Sequence, residues 1–359
     1  MDRPTFDKLL AMSVKKQVSD IHLQVGYAPL FRINGSLVEV KIPELTAQDT
    51  EDIAKLILSH RNIDLADRKF EDCDTSYGVE GAGRFRVNIF KQRETFAIVL
   101  RVIPHEIKSF ADLKLPNTLE AIASVRRGLV LVTGATGMGK STSLAAMIEH
   151  INRTRRSHII TVEDPIEYLF KHDRSIISQR EVGSDTSSFQ TALRAALRQD
   201  PDVIMIGEMR DHVTVDIALK AAETGHLVLS SIHTTDVVKT INRIISFFPP
   251  EEQGMVRLRL AENLMAVVSL RLLMHASGAG RVPAVEIMRV TRSIQECIKN
   301  PEKTIEIKDH MEKGRADYGM QTFDQHLVDL FKANEISMEV GKFAATSAAE
   351  FERALTVEQ

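Results

Sequence analysis

The 359-residue sequence contains no tryptophan, and aromatic residues make up only 5% of it. Proteins that hold single-stranded nucleic acid by stacking bases on aromatic rings need a richer supply, so the composition argues against such a platform. Cysteine is almost missing as well. Cys73 and Cys297 stand far apart without the paired spacing of a zinc site, so neither a disulfide framework nor a structural zinc is expected. Two isolated thiols read as small core residues in a reducing cytoplasm. No apolar run approaches the roughly 18 residues that crossing a bilayer requires. Asp2, Arg3, Asp7 and Lys8 break up the opening stretch, so no export signal is expected there. Nor does charge of one sign dominate: 46 Lys and Arg against 49 Asp and Glu leave a net charge of −3, without a global pull toward nucleic acid or anionic lipid.

What is present is ordinary for a folded protein. Hydrophobic residues at 43% and charged residues at 26% allow a sizeable core, and at about 150 residues per domain the length suggests two or three domains. Residues 1–103 read as a small mixed α/β domain. It has an amphipathic stretch Phe6–Lys16, strand-like Asp20–Val25 and Pro29–Ile33, and a hairpin cue at Asn34-Gly35. Helical spacing follows over Asp49–Ser59, then β patterns over Gly83–Ile89 and Phe96–Val102. The charged, proline-bounded segment 104–116 reads as a linker, and residues 117–359 as the second domain. There, Gly128–Thr133, His158–Val162, Val203–Ile206 and Leu227–Ile232 are short apolar runs separated by helical stretches, the pattern of central strands in a parallel sheet. From about residue 255, including Met255–Leu273, the expectation is predominantly helical.

The segment Gly134-Ala135-Thr136-Gly137-Met138-Gly139-Lys140-Ser141 satisfies G-x4-G-K-[ST] and directly follows the apolar run ending at Thr133. A match arises by chance roughly once in a hundred sequences of this length, and the strand-then-helix context makes accident rarer still. Backbone N–H groups of Gly134, Thr136, Gly137, Met138 and Gly139 would curl around a polyphosphate, with the following helix adding the positive end of its dipole. Lys140 would reach the β- and γ-phosphates of ATP, Ser141 would ligate Mg2+, and Thr142 would bond the α-phosphate.

Nucleotide hydrolysis also needs acids at neighbouring strand ends. Val203–Gly207 leads to Glu208, a carboxylate placed to hold the metal through water, and His158–Val162 leads to Glu163 and Asp164, where Glu163 would polarise the attacking water. His233 ends the run Leu227–Ile232 on the same carboxyl edge, where it would contact the γ-phosphate. Extra positive charge would come from a neighbouring subunit. Arg86, Arg93 and Arg101 are the candidates, in a cluster with Arg84, and the alternation of Gly83–Val87 puts Arg84 and Arg86 on the solvent face.

These residues carry a resemblance. Gly134–Thr142, Ile160–Glu167, Leu197–Asp211 and Thr224–Thr234 look like the Walker A, Asp-box, Walker B and His-box of the type IV pilus retraction ATPases, the PilT/PilU family of the secretion ATPase superfamily. The similarity extends to Ser19–Leu23, Gly83–Val87 and Gly319–Asp324, and so covers nearly the whole chain. It implies an α/β fold with a PAS-like N-terminal domain, a RecA-like P-loop ATPase domain and a helical C-terminal region. It further implies a homo-hexameric ring in the cytoplasm, peripheral to the inner membrane and working on a pilus platform protein, with a paralogous pilus ATPase as a second partner and neither nucleic acid nor zinc. Pilus-extension relatives often have a longer N-terminal region and a four-cysteine zinc insertion, which this sequence lacks. Where the retraction enzymes have an AIRNLIR-like helix, Arg292–Ile298 stands here. The resemblance leaves open a principal motor or an accessory paralogue. From the residues alone, a small-molecule P-loop kinase, a RecA-like nucleic-acid translocase and a non-catalytic nucleotide scaffold are the rival readings.

Overall fold

Alternating residues in the first hundred positions build a six-stranded sheet, and the unbroken apolar runs beyond Arg127 build a second sheet of seven strands. The computed structural model describes residues 1–33, 35–60, 65, 70–103 and 106–357. The chain forms two units, residues 1–106 with 163–171 and 179–188, and residues 107–162, 172–178 and 189–359.

In the first unit, helix α1 (Arg3–Lys15) starts where the Asp2 carboxylate accepts a bond from the Thr5 N–H, and it buries Phe6, Leu9 and Leu10. Helix α2 (Ala47–Ile57) opens on a reciprocal cap between Thr46 and Asp49, and buries Ile53, Ala54 and Ile57. Between and after them run β1 (Asp20–Leu23), β2 (Leu30–Ile33), β3 (Ser36–Glu39), β4 (Asp72–Val79), β5 (Gly83–Gln92) and β6 (Thr95–Val102). The sheet order is β3-β2-β1-β6-β5-β4, antiparallel throughout. Asn34 of the expected hairpin lies outside the described residues; Gly35 has φ +85° and the register brings Ile33 opposite Ser36. Strands β3 and β4 carry too little apolar alternation to stand out in the sequence, since all four residues of β3 are exposed.

Segments 163–171 and 179–188 come from beyond the expected linker yet belong to the first unit. Glu181 shows why. Its fully buried carboxylate accepts bonds from Ser76 Oγ (2.7 Å), Arg84 Nη2 (3.0 Å) and the Ile166 N–H (3.0 Å). Arg84, expected on a solvent face, is therefore covered. Pro104 and His105 of the expected linker lie outside the described residues, and Ile107 onward belongs to the second unit.

The second sheet uses β7 (Gly128–Thr133), β8 (His158–Glu163), β9 (Ile176–Glu181), β10 (Val203–Ile206), β11 (Leu227–Ile232), β12 (Leu264–Met274) and β13 (Arg281–Arg289), in the order β13-β12-β7-β11-β10-β8-β9. The four apolar runs named from sequence are four adjacent interior strands, β7, β11, β10 and β8, parallel to one another. They are buried on both faces, as continuous apolar strands must be. Helix α3 (Thr118–Ala123) leads into β7, and α4 (Lys140–Thr154), α5 (Phe189–Ala196), α6 (His212–Glu223), α7 (Val237–Ser246) and α8 (Pro250–Asn263) lie in the later connections.

The helical expectation for Met255–Leu273 is corrected. Helix α8 ends at Asn263, and Leu264–Met274 is strand β12, parallel to β7 and paired on its other side with antiparallel β13. A run of Leu, Met and Val covered on both faces has no period that separates strand from helix. Beyond β13 the chain is helical, through α9 (Arg292–Lys299), a short 3-10 turn (Pro301–Glu306), α10 (Ile307–Lys313), α11 (Arg315–Tyr318), α12 (Phe323–Lys332), α13 (Met338–Ala344) and α14 (Ala348–Val357).

Candidate nucleotide site

The chain returns later on both sides of β7, as β12 and as β11, so the carboxyl end of β7 is a switch point of the kind where open α/β sheets bind ligands. The glycine loop lies there. Gly134 has φ +148°, and a Cβ on it would meet the Leu270 carbonyl oxygen at 2.7 Å. Gly137 and Gly139 also have positive φ, and Gly139 is the N-cap of α4 with no side-chain cap. The helix start therefore presents backbone N–H groups rather than a capping hydroxyl. Ala135, Thr136 and Gly137 are exposed, while Lys140 is only 8% exposed and donates from Nζ to the Ala135 carbonyl (3.1 Å), across its own loop. Ser141 and Thr142 are half-buried on the first turn. The Met138 side chain turns toward the sheet, where its sulfur accepts from the Leu272 N–H (3.2 Å), leaving only its backbone for the loop's concave side.

Three more strand ends reach the same edge. Strand β8 ends at Glu163, β10 stops one residue before Gly207-Glu208, and β11 stops just before His233. Hydroxyls inside the apolar run of β11 pin these ends: Ser230 Oγ donates to the Ile206 carbonyl (2.9 Å) and Ser231 Oγ to the Gly207 carbonyl (2.7 Å). The consequence is a direct bond from His233 Nε2 to Glu208 Oε2 at 3.0 Å. Arg210 forms an ion pair with the other Glu208 oxygen. Glu208 is thus held by two partners, of which His233 is half exposed. Glu163 is buried, and its carboxylate accepts from Gln179 Nε2 (3.2 Å) and from the Glu167 N–H (3.4 Å). Sequence reasoning missed Ser230, Ser231 and Gln179, because a hydroxyl in an apolar run or a glutamine in a short strand carries no motif.

Of the arginines, Arg86 on β5 and Arg101 on β6 stand directly opposite each other in the register, with side chains 43% and 69% exposed. Like charges so paired repel. Each has a carboxylate of its own: Asp74 lies 4.0 Å from Arg86, and Asp20 accepts from Arg101 Nε at 2.8 Å. Burial works against charge on Asp20, yet bonds from Arg101 and Ser19 hold its carboxyl below the ordinary range. Arg93 and Glu94 form the two-residue tip between β5 and β6, both with positive φ (47° and 64°).

Helix α7, which follows His233, starts from two acids. Asp236 caps it through the Lys239 N–H, and Glu286 of β13 accepts from the Val237 N–H at 2.8 Å. Burial pushes the Glu286 carboxyl up to about 7. Beside it on β13, the Val285 N–H donates to His326 Nδ1 (2.9 Å), and burial lowers His326 to about 4.

Residues 3–336 match the family described as Type II/IV secretion system protein. The chain is 42% identical over 335 residues to the type IV pilus retraction ATPase PilT of Pseudomonas aeruginosa, covering 92% of this chain and 95% of that one. It is also 42% identical over 344 residues to the type IV pilus ATPase PilU of the same organism, covering 96% and 89%. A crystal structure of the pilus retraction motor PilT with bound ADP matches with a TM-score of 0.85 at 43% identity, over 97% of this chain and 98% of that one. Among the described residues, no helix is long and apolar enough to cross a membrane. With a family match spanning nearly the whole chain and relatives alike across both units, the protein belongs to the Type II/IV secretion system protein family.

Proposed function

We propose that the chain is an ATPase whose turnover, in a homo-hexameric ring, drives type IV pilus retraction. The bond between Glu208 and His233, at the strand edge that also carries the glycine loop, is the observation that carries this reading. Backbone groups of Gly134, Thr136, Gly137, Met138 and Gly139 hold the phosphates, Lys140 reaches the β- and γ-phosphates, and Thr142 adds a bond to the α-phosphate. The Ser141 hydroxyl and the Glu208 carboxylate are oxygen donors of the kind that suits Mg2+, Glu208 acting through water. Held by these residues, Mg2+ would supply positive charge against the negative phosphates. Glu163 orients and deprotonates the attacking water, and His233 responds to loss of the γ-phosphate through its bond to Glu208. A neighbouring subunit supplies Arg86, Arg93 and Arg101. The opposed, exposed pair Arg86 and Arg101 supports this, because a bound phosphate would relieve the repulsion between them.

Domain movement across segment 104–116 would turn each step into work on a platform protein of the inner membrane, reached from the cytoplasm. Equal identity to PilT and PilU also favours a second reading, an accessory motor acting with a paralogous ATPase. The test is mass in solution with and without ATP, alongside phosphate release. A hexamer that turns over ATP with neither DNA nor an acceptor is the expected result. A stable monomer that needs an acceptor would make it a kinase, and stimulation by DNA that fades steeply with salt would make it a translocase. Retraction restored to a strain lacking only the principal motor would set aside the accessory reading.

A further inference from the structure

Cys297 lies on α9, in the segment that departs from the AIRNLIR-like helix of the retraction enzymes, and is only 2% exposed. Glu306 ends the 3-10 turn and His310 lies four residues on in α10, so both project from the same side of one continuous helical stretch. The Cys297 sulfur, a Glu306 oxygen and a His310 ring nitrogen all lie within 4.8 Å of one another. Among the described residues, none of these three side chains has a hydrogen bond or ion pair with any other group. A thiol, a carboxylate and an imidazole have converged without a partner.

We propose that Cys297, Glu306 and His310 bind a zinc ion that staples α10 to α9. At metal–ligand distances of roughly 2.0–2.3 Å, tetrahedral zinc holds its ligand atoms about 3.3–3.6 Å apart. Small rotations of exposed Glu306 and half-buried His310 close the difference. Water completes the fourth position. A thiol with an imidazole selects zinc over the Mg2+ of the nucleotide site, which takes oxygen ligands. On binding, the Cys297 S–H bond breaks, its proton leaves to solvent, and the sulfur's electron pair forms the bond to zinc. The expectation of no zinc, drawn from the absence of paired cysteines, overlooks this mixed set, whose one sequence signal is Glu306-x3-His310.

The test uses the untagged full chain, stripped of metal, titrated with Co2+ and then with Zn2+. Expected is one equivalent of Co2+ giving a thiolate-to-cobalt charge-transfer band that Zn2+ abolishes and that Cys73→Ser leaves unchanged. Cobalt at the nucleotide site has only oxygen ligands and gives no such band. Cys297→Ser should lose the band and bind Zn2+ at least about tenfold more weakly. Surface variant Glu306→Gln should also weaken Zn2+ binding and lose the rise in melting temperature that Zn2+ gives the parent. No charge-transfer band, a band that follows Cys73, or equal Zn2+ affinity in Cys297→Ser or Glu306→Gln would overturn the proposal.

Discussion

The carboxyl edge of β7, β10 and β11 and the buried flank of β13 both gather polar side chains, but they use them differently. At that flank, Glu286 of β13 and His326 of α12 bond to backbone N–H groups and are closed off from water. At the strand edge, Glu208 bonds to the side chains of His233 and Arg210, and His233 stays half exposed. The bonds of Glu286 and His326 belong to the fold, because nothing that arrives can better them without exposing a buried N–H. Polar groups satisfied by one another can exchange partners when a charged ligand arrives, which is what a site for phosphate requires.

Substitutions on the two sides should therefore fall into separate classes. The largest expected effect is Lys140→Ala, which should abolish nucleotide binding and cut phosphate release by a factor on the order of 10²–10³ or more, with the unfolding midpoint little changed. Next, His233→Ala should slow phosphate release by about a hundredfold while nucleotide binding persists. Its counterpart His326→Leu should do the reverse. By leaving the Val285 N–H without an acceptor it should cost about 1–3 kcal/mol in urea unfolding, with turnover per folded molecule unchanged. Loss of turnover in folded His326→Leu would break the comparison.

Glu286 sharpens it through pH. A carboxyl raised to about 7 in the folded state keeps its proton longer there than in the unfolded chain, so its contribution is full below the ordinary value of 4.5 and is lost as pH rises through about 7. Glu286→Gln should remove that slope and gain stability on the order of 2–3 kcal/mol above pH 7, measured by urea unfolding across the pH range. The smallest effect is Arg93→Gly, which relieves the left-handed tip between β5 and β6 and should raise stability by about 0.5–1 kcal/mol. If Arg93 acts on a neighbour's phosphate, turnover should fall even as stability rises.

Sequence reading reached the interior of the second sheet because a strand covered on both faces is an unbroken apolar word bounded by turns, as in Val203–Ile206. It failed at β12 for the same reason, since the apolar run Leu264–Met274 follows the helix Pro250–Asn263 with neither glycine nor proline at the junction. The glycine loop was legible because its backbone conformations demand glycine at fixed intervals, Gly134 against Leu270 above all. Glu181 was not legible. Its importance lies in partners 97 and 105 positions away, and no local pattern announces a contact that only the folded chain makes.

Side-by-side measurement of nucleotide affinity and phosphate release in Glu163→Gln tests the account most directly. The amide oxygen can still accept one of the two bonds, from Gln179 or from the Glu167 N–H, but the amide cannot take a proton from water. ATP should bind as in the parent, and phosphate release should fall by about a hundredfold or more. Release at the parent rate, with binding intact, would contradict it.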